Sequence, residues 1–200
     1  MSIEPPDRSD ESTIKSALVL IEFQRQWTDP GLYNLVIRRQ LDHRNVVETA
    51  RRVAAAARRE GVTVIHTPLV VDPAHKQGAL GHLTLGRVFT KGTPRAEFTN
   101  GIYEDGDVVV QGRTHFDAFA GTDLEQLLVE QGAEQVFFGG LTTDQCVART
   151  LGTALQIGIN GYLVPEITAT FCGHLQRRTE RRFRQQLAPV TRTGLPAPLL

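Results

Sequence analysis

The chain has 200 residues, of which 40% are hydrophobic and 22% are charged, a composition typical of a globular domain and unlike that of a disordered or fibrous protein. Its 22 basic and 22 acidic residues cancel, which argues against recruitment of nucleic acid or of an anionic membrane surface. Two cysteines are too few for a disulfide framework, so a reducing, cytoplasmic location is predicted.

The first residues differ in character from the rest of the chain. Residues 1–16 mix acids, bases and prolines and contain no apolar segment of the kind found in a signal peptide. We predict a flexible N-terminal arm there and a single domain over residues 17–200. No apolar run approaches the roughly 20 residues of a transmembrane helix, so a membrane is not expected as a partner.

Strands and helices alternate along the first half of the predicted domain. Residues 17–23 form a short apolar run, typical of a strand that is buried on both faces. Residues 45–60 carry apolar side chains at helical spacing and end at a glycine, which predicts an amphipathic helix. A second strand is predicted at residues 62–66. Residues 67–105 are punctuated by prolines and glycines and are predicted to be functional or to contain short elements.

The alternation continues in the second half. Strands are predicted at residues 107–111, 135–138, 161–164 and 189–192, and helices at residues 122–131, 144–157 and 174–187. The fourth strand is expected to end before Gly139 and Gly140. Strands that alternate with helices predict parallel βαβ units, with helices on both faces of the sheet and a site at the carboxyl ends of the strands.

Two charged residues follow predicted strands, where such a sheet would place its site. Glu22 stands at the end of the first strand, where a buried carboxylate would need a partner. Its alternative is a strand-end acid that reaches solvent. Arg113 follows the third strand and is the only lysine or arginine between Arg95 and Arg149. Its alternative is a surface arginine whose stem covers aromatic side chains.

Cys146 follows a strand, two glycines and a polar turn, in the first turn of a predicted helix. Backbone N–H groups and the positive end of the helix dipole converge there, which favours a thiolate and could bind an oxyanion after the sulfur attacks a carbonyl. The alternative is a buried structural cysteine. This position predicts a nucleophile that iodoacetamide alkylates below about pH 8.5, while Cys172, expected to be packed, is spared.

Three motifs resemble those of the isochorismatase-like cysteine hydrolases, a group that includes nicotinamidases and N-carbamoylsarcosine amidohydrolases. They are ALVLIEFQRQW at residues 17–27, GRTHFDAF at residues 112–119 and the segment beginning GGLTTDQCV at residue 139. The resemblance implies a three-layer α/β/α sandwich around a mostly parallel, six-stranded, Rossmann-like sheet. It also implies a homo-oligomer, a dimer or larger.

The resemblance assigns roles to individual residues. It implies a catalytic triad of Cys146 as the nucleophile with Glu22 and Arg113, at positions where the family normally has Asp and Lys. It further implies a cis peptide bond between Leu141 and Thr142, and an oxyanion hole formed by the N–H groups of Thr142 and Cys146. Arginine stays charged and binds a carboxylate through a planar fork of donors, so we interpret the two substitutions as a retuned site.

Three aromatic residues near these motifs, Trp27, Phe116 and Phe119, are predicted to bind the substrate as an apolar pocket wall, with core packing as the alternative. Their partner would be a small molecule.

No metal and no other cofactor is expected. Nicotinamidases of the family carry an Asp-x-His pair and a further His after the second strand, whereas Asp72 and His75 have a different spacing here. Neither a metal nor nicotinamide activity is therefore predicted. His82 and His115 are interpreted as surface or pocket-rim residues.

These observations lead to one predicted function and two alternatives. The predicted function is hydrolysis of a C–N bond (amide, ureido or carbamoyl) of a small molecule through a thioester on Cys146. The first alternative is a catalytically altered or non-catalytic member that acts as an oligomeric assembly or regulatory module. The second is a redox thiol that is resolved through Cys172.

Overall fold

The structure, a computed structural model, describes residues 14–72 and 88–198. Within these residues five strands form one sheet in the order β3-β2-β1-β4-β5, and every pairing is parallel. The strands are β1 Ser16–Ile21, β2 Thr63–Thr67, β3 Val108–Val109, β4 Gln135–Leu141 and β5 Gly161–Ala169. The predicted α/β class is confirmed.

Six α-helices flank or precede these strands in the described residues. They are α1 Arg25–Thr28, α2 Leu32–His43, α3 Val46–Arg59, α4 Leu124–Glu130, α5 Ala148–Gln156 and α6 Gly173–Arg182. Two of them, α1 and α2, have no counterpart in the sequence-based prediction. Helix α2 exposes Leu32, Leu35 and Val36 and buries only Ile37 and Leu41, so its apolar residues do not form the single stripe that predicts a helix.

The central strand β1 separates two apolar layers. Leu18 and Leu20 belong to one core cluster, which includes the buried alanines of α3. Ala17, Val19 and Ile21 belong to the other, which includes the buried residues of α5. Because successive side chains of a strand point to opposite faces, an uninterrupted apolar run is what a strand covered on both faces requires.

The predicted sixth strand at residues 189–192 does not join the sheet. Val190 instead forms an isolated antiparallel bridge with Pro196, and the Thr191 N–H donates to the Leu195 carbonyl at 2.8 Å. The chain therefore turns back on itself here. Pro189 and Pro196, one on each strand of this short pairing, lack the N–H that a sheet ladder needs, which disfavours extension of the sheet by this segment.

Strand β4 continues through Gly139 and Gly140, contrary to the expectation that these glycines end it. A Cβ atom on Gly140, whose φ is 136°, would lie 2.1 Å from the Ile21 carbonyl oxygen. A Cβ atom on Gly139 would lie 2.3 Å from the Ile167 side chain. The two glycines thus allow β4 to pack tightly against β1 and β5, where any side chain would force the strands apart.

Other boundaries differ by smaller amounts. Strand β3 has two residues where five are expected, although the Val110 N–H still donates to the His66 carbonyl at 2.9 Å. The long connection contains a 3₁₀ helix at Pro94–Ala96. Residues 73–87 and 1–13 lie outside the described residues, and with them most of the predicted arm. Its last residue, Ser16, begins β1. None of the described helices has the length and apolarity to cross a membrane.

Candidate active site

The strand order creates a crevice at the carboxyl ends of β1 and β4. The chain leaves β1 towards β2 on one side of the sheet, whereas it leaves β4 towards β5 on the other, so the connections diverge at this point. Glu22 immediately follows β1, and Ile21 is paired with Gly140 of β4. Glu22 therefore lies where sheets of this topology bind ligands. Cys146 follows β4, and the Glu22 carboxylate is near enough to affect the pKa of its thiol.

Arg113 reaches this crevice from the loop after β3. Its Nη2 atom donates to Glu22 Oε1 at 2.6 Å and to the Phe116 carbonyl at 3.0 Å, and its Nη1 atom donates to the Thr67 carbonyl at 2.7 Å. The Arg113 and Glu22 side chains are 0% and 1% exposed. The expected two-pronged grip on the carboxylate is wrong, because the guanidinium divides its donors between Glu22 and two backbone carbonyls.

Trp27 contacts the same carboxylate from α1. Its indole N–H donates to Glu22 Oε2 at 3.1 Å. The indole ring packs edge-on against Tyr33 with centroids 5.0 Å apart, and lies 6.0 Å from the Phe89 ring and 6.4 Å from the Phe171 ring. Each carboxylate oxygen of Glu22 thus has its own donor, and one of these donors belongs to an aromatic cluster.

The other two aromatic residues predicted to bind the substrate differ in exposure, and their role in substrate binding stays a prediction. The Phe116 side chain is 54% exposed, and its ring faces the Arg149 guanidinium at 5.8 Å. The Phe116 backbone, rather than its ring, takes part in the site through the carbonyl that binds Arg113. Phe119 is half-buried against the core cluster that contains Cys146, in agreement with the alternative of core packing.

Cys146, the predicted nucleophile, lies in a turn of residues 141–147, which we call the nucleophile turn. This turn begins at a cis peptide bond between Leu141 and Thr142. A single π-helical turn, Thr143–Val147, precedes α5, and the Val147 N–H donates to the Thr142 carbonyl at 3.2 Å. The predicted helix from residue 144 therefore starts with a wider turn. Cys146 lies inside that turn and is 3% exposed.

Polar side chains anchor this turn to neighbouring elements. The Thr143 hydroxyl donates to Gln176 Oε1 of α6 at 2.7 Å. The Thr170 hydroxyl, just after β5, donates to the Asp144 carboxylate. Thr143 and Gln176 are both buried, so these hydrogen bonds satisfy groups that would otherwise be costly to bury.

The Cys146 pKa is raised well above the ordinary range of a thiol. Burial is the main cause, and the negative charge of the nearby Glu22 carboxylate adds to it. Arg113 and the Thr142 N–H lower the pKa by less. The expectation of a lowered thiol pKa is wrong, because desolvation and a neighbouring negative charge outweigh the backbone N–H groups.

Cys172 also differs from its prediction. It is exposed and immediately precedes α6, so it is neither packed nor shielded from reagents.

One buried side-chain contact near the site was missed from the sequence. The Gln24 side chain is fully buried, accepts from the Leu69 N–H at 2.8 Å and donates to the carbonyls of Leu69 and Ala96. It joins the loop after β1 to the loop after β2. A glutamine two residues beyond a buried acid was the available signal for such a link.

The described residues contain no group of three or more His, Cys, Asp or Glu side chains that could hold a metal ion. His66 is instead paired with Asp107 at 2.8 Å. His75 and His82 lie outside the described residues, so the expected absence of a metal stays a prediction. His115 is exposed and contacts Thr114 at 3.0 Å.

Comparisons with known proteins agree on one family. A family model described as the isochorismatase domain matches residues 16–194. The chain is 29% identical over 157 residues to maleamate amidohydrolase of Pseudomonas putida, a match that covers 76% of this chain and 71% of that protein. It is 28% identical over 153 residues to an Arabidopsis thaliana protein named probable inactive nicotinamidase, with 71% and 74% covered.

Among solved structures, N-carbamoylsarcosine amidase from Thermoplasma acidophilum superimposes with a TM-score of 0.70 at 23% identity, over 86% of this chain and 95% of that one. At this identity the likeness shows that the fold is shared.

Proposed function

The chain belongs to the isochorismatase family of hydrolases, and we propose that it cleaves a C–N bond of a small amide, ureido or carbamoyl compound through a thioester on Cys146. The observation that carries the proposal is that Glu22 and Cys146 are both buried at the divergence of β1 and β4, with the carboxylate near enough to raise the pKa of the thiol. A thiol with a base beside it forms the unit that nucleophilic catalysis requires.

The raised pKa of Cys146 supports a first step in which proton transfer accompanies formation of the S–C bond. The thiol proton passes to Glu22 as the sulfur attacks the substrate carbonyl. The S–C bond forms and the carbonyl π electrons move to oxygen. The N–H groups of Thr142 and Cys146 are the proposed donors to this oxyanion, since both belong to the nucleophile turn.

Glu22 then returns the proton in the second step. The tetrahedral intermediate collapses, the C–N bond breaks, and the departing nitrogen takes the proton from Glu22 to leave as ammonia or an amine. A water molecule gives a proton to Glu22 and attacks the thioester, which releases the acid product. The proton finally returns to the Cys146 sulfur, so the enzyme is regenerated without a cofactor.

Arg113 serves this cycle without exchanging a proton. Its guanidinium balances the buried charge of Glu22 in an ion pair at 2.6 Å. The hydrogen bonds to the carbonyls of Thr67 and Phe116 fix the guanidinium independently of Glu22.

A panel of small amides, ureido acids and N-carbamoyl compounds tests the proposal, with release of ammonia or amine as the measurement. We expect turnover by the wild-type protein and by Cys172→Ser, and none by Cys146→Ala. Mass spectrometry of the quenched reaction should find an acyl group on Cys146. Turnover that survives Cys146→Ala would contradict the thioester mechanism.

Two observations favour the non-catalytic alternative. Arg113 and Glu22 satisfy each other as a buried ion pair, and one relative is named probable inactive nicotinamidase. It predicts no turnover on the whole panel and an assembly that survives Cys146→Ala. Size-exclusion chromatography with light scattering would measure that assembly and also test the proposed homo-oligomer.

A further inference from the structure

The indole N–H of Trp27 holds an oxygen of the Glu22 carboxylate, yet no step of the proposed reaction uses it. We propose that Trp27 is a positioning residue for the proton acceptor: its N–H fixes the Glu22 carboxylate beside the Cys146 sulfur and makes Oε2 the oxygen that receives the proton. The inference rests on the proposed function, because it assigns the group that orients the base of that reaction.

Two donors hold the Glu22 carboxylate, one on each oxygen. A glutamate side chain has three rotatable bonds, and ordering it costs conformational entropy. Arg113 alone contacts only Oε1, at 2.6 Å, which would leave the carboxylate free to turn about that contact. The Trp27 N–H contacts Oε2 at 3.1 Å. Two donors on two different oxygens fix both the position and the plane of the carboxylate.

The two donors to the Glu22 carboxylate, the Arg113 guanidinium and the Trp27 indole N–H, differ in charge. The guanidinium is permanently charged and its short, charge-assisted bond competes with a proton for Oε1. The indole N–H is a neutral donor that cannot accept or exchange a proton in return. Oε2 therefore remains the more basic oxygen, and the proton that leaves the Cys146 sulfur binds there.

Packing holds the Trp27 indole in the orientation that points its N–H at Glu22. Trp27 is 6% exposed and packs against Tyr33 and Phe89 with centroids 5.0 and 6.0 Å apart. Its own carbonyl accepts a hydrogen bond from Asn34 Nδ2 at 2.9 Å. The N–H direction is thus set by the aromatic cluster and by α2, independently of Glu22.

The chain offers an isosteric test, because Trp27 is its only tryptophan. Replacement of tryptophan by 3-benzothienylalanine changes this position alone and substitutes sulfur for N–H in a ring system of nearly the same shape. Arg25→Met is the matched control, since it changes the exposed side of the same helix and keeps both the indole N–H and its aromatic neighbours. All proteins carry Cys172→Ser, which removes the exposed second thiol.

The first readout is the crystal structure of each protein, which needs no substrate. In the protein with natural tryptophan we expect Glu22 Oε2 to accept from the Trp27 N–H, as it does here at 3.1 Å. In the benzothienyl protein Oε2 loses this donor, and we expect the carboxylate to turn about its contact with Arg113 at Oε1, away from the Cys146 sulfur.

The second readout is turnover of whichever substrate the panel identifies. We expect the benzothienyl protein to lose about tenfold in kcat with little change in KM, because the substrate still binds but the base is misplaced. Arg25→Met should leave both the position of the Glu22 carboxylate and kcat unchanged. An unmoved Glu22 carboxylate in the benzothienyl protein would overturn the proposal. A displaced carboxylate in a protein that turns over no member of the panel would support the positioning of Glu22 by Trp27 and reject the proposed hydrolysis.

Discussion

Replacement of Arg113 by methionine removes one side of a buried ion pair while it keeps most of the side-chain length. The guanidinium donates to the Glu22 carboxylate and to the carbonyls of Thr67 and Phe116. Methionine donates to none of them. The Glu22 charge then lies in the interior with the Trp27 N–H as its remaining neutral donor.

The size of the effect follows from the burial of both partners. Removal of one partner of a buried ion pair costs about 3–5 kcal/mol, because the other charge stays buried without compensation. For a chain of 200 residues, each kcal/mol lowers the melting temperature by about 2–4 °C. We therefore expect Arg113→Met to melt on the order of 10 °C below the wild type.

A double-mutant cycle separates the ion pair from other consequences of the substitution. Glu22→Met and Arg113→Met are measured singly and together by urea unfolding at pH 7, with circular dichroism and Trp27 fluorescence as two probes. Because an apolar pair can replace a buried ion pair with little loss, we expect the double variant to be more stable than Arg113→Met. If the two losses simply add, the pair is not coupled and the reasoning is refuted.

Arg25 provides the control for this cycle. It pairs with Asp29 at 2.7 Å and with Glu97 at 2.9 Å, but all three side chains are at least 31% exposed. Exposed ion pairs contribute little, so Arg25→Met should leave the urea midpoint close to that of the wild type. A loss as large as that of Arg113→Met would mean that burial is not the cause.

Three further outcomes are expected. At pH 7.5 iodoacetamide should modify the exposed Cys172 at least about tenfold faster than Cys146, because burial raises the pKa of the Cys146 thiol. Peptide mass spectrometry measures both rates. Faster labelling of Cys146 would contradict the raised pKa. Gly140→Ala should lose about 3 kcal/mol or more in urea unfolding, because its Cβ would collide with the Ile21 carbonyl. Asp107→Asn should lose about 2 kcal/mol at pH 7, and the difference from the wild type should shrink below about pH 4.

Gly158→Ala is the control for Gly140→Ala, and the pH dependence tests Asp107→Asn. Gly158 also has a positive φ, but a Cβ there meets no atom within 4 Å, so Gly158→Ala should cost only about 1 kcal/mol. Burial alone would raise the Asp107 pKa, but hydrogen bonds from His66 and Arg58 lower it. A lowered pKa stabilises the fold above the unfolded value of about 3.9, and this stability is lost as the pH falls. A difference that persists undiminished to pH 3 would contradict this linkage.

Secondary structure was predictable where local pattern and tertiary environment agreed. The apolar run of β1 and the helical spacing of α3 are requirements of burial on a strand and on a helix, so they are visible in the chain itself. Helix α2 was not predicted, because its apolar residues are divided between the core and the surface. The predicted end of the fourth strand at Gly139 and Gly140 was wrong. In the sequence, a glycine that ends a strand looks the same as a glycine that lets a neighbouring strand pack closely.

The site was predictable as a set of residue types but not as a set of contacts. Glu22, Arg113 and Cys146 each follow a strand, and the carboxyl ends of parallel strands share one edge of a sheet. The Thr67 carbonyl that binds Arg113 and the Trp27 N–H that binds Glu22 have no sequence signature. Both contacts arise from the direction in which a packed side chain points.

The sequence by itself determined the alternation of strands and helices, the neutral charge balance and the three residue types that meet at the crevice. Tertiary structure alone decided that the sixth segment turns back on itself, that Arg113 divides its donors and that the Cys146 pKa is raised rather than lowered. The physical reason is range. Hydrophobic periodicity and turn chemistry act over a few neighbouring residues, whereas desolvation and hydrogen-bond geometry depend on every element that packs around an atom.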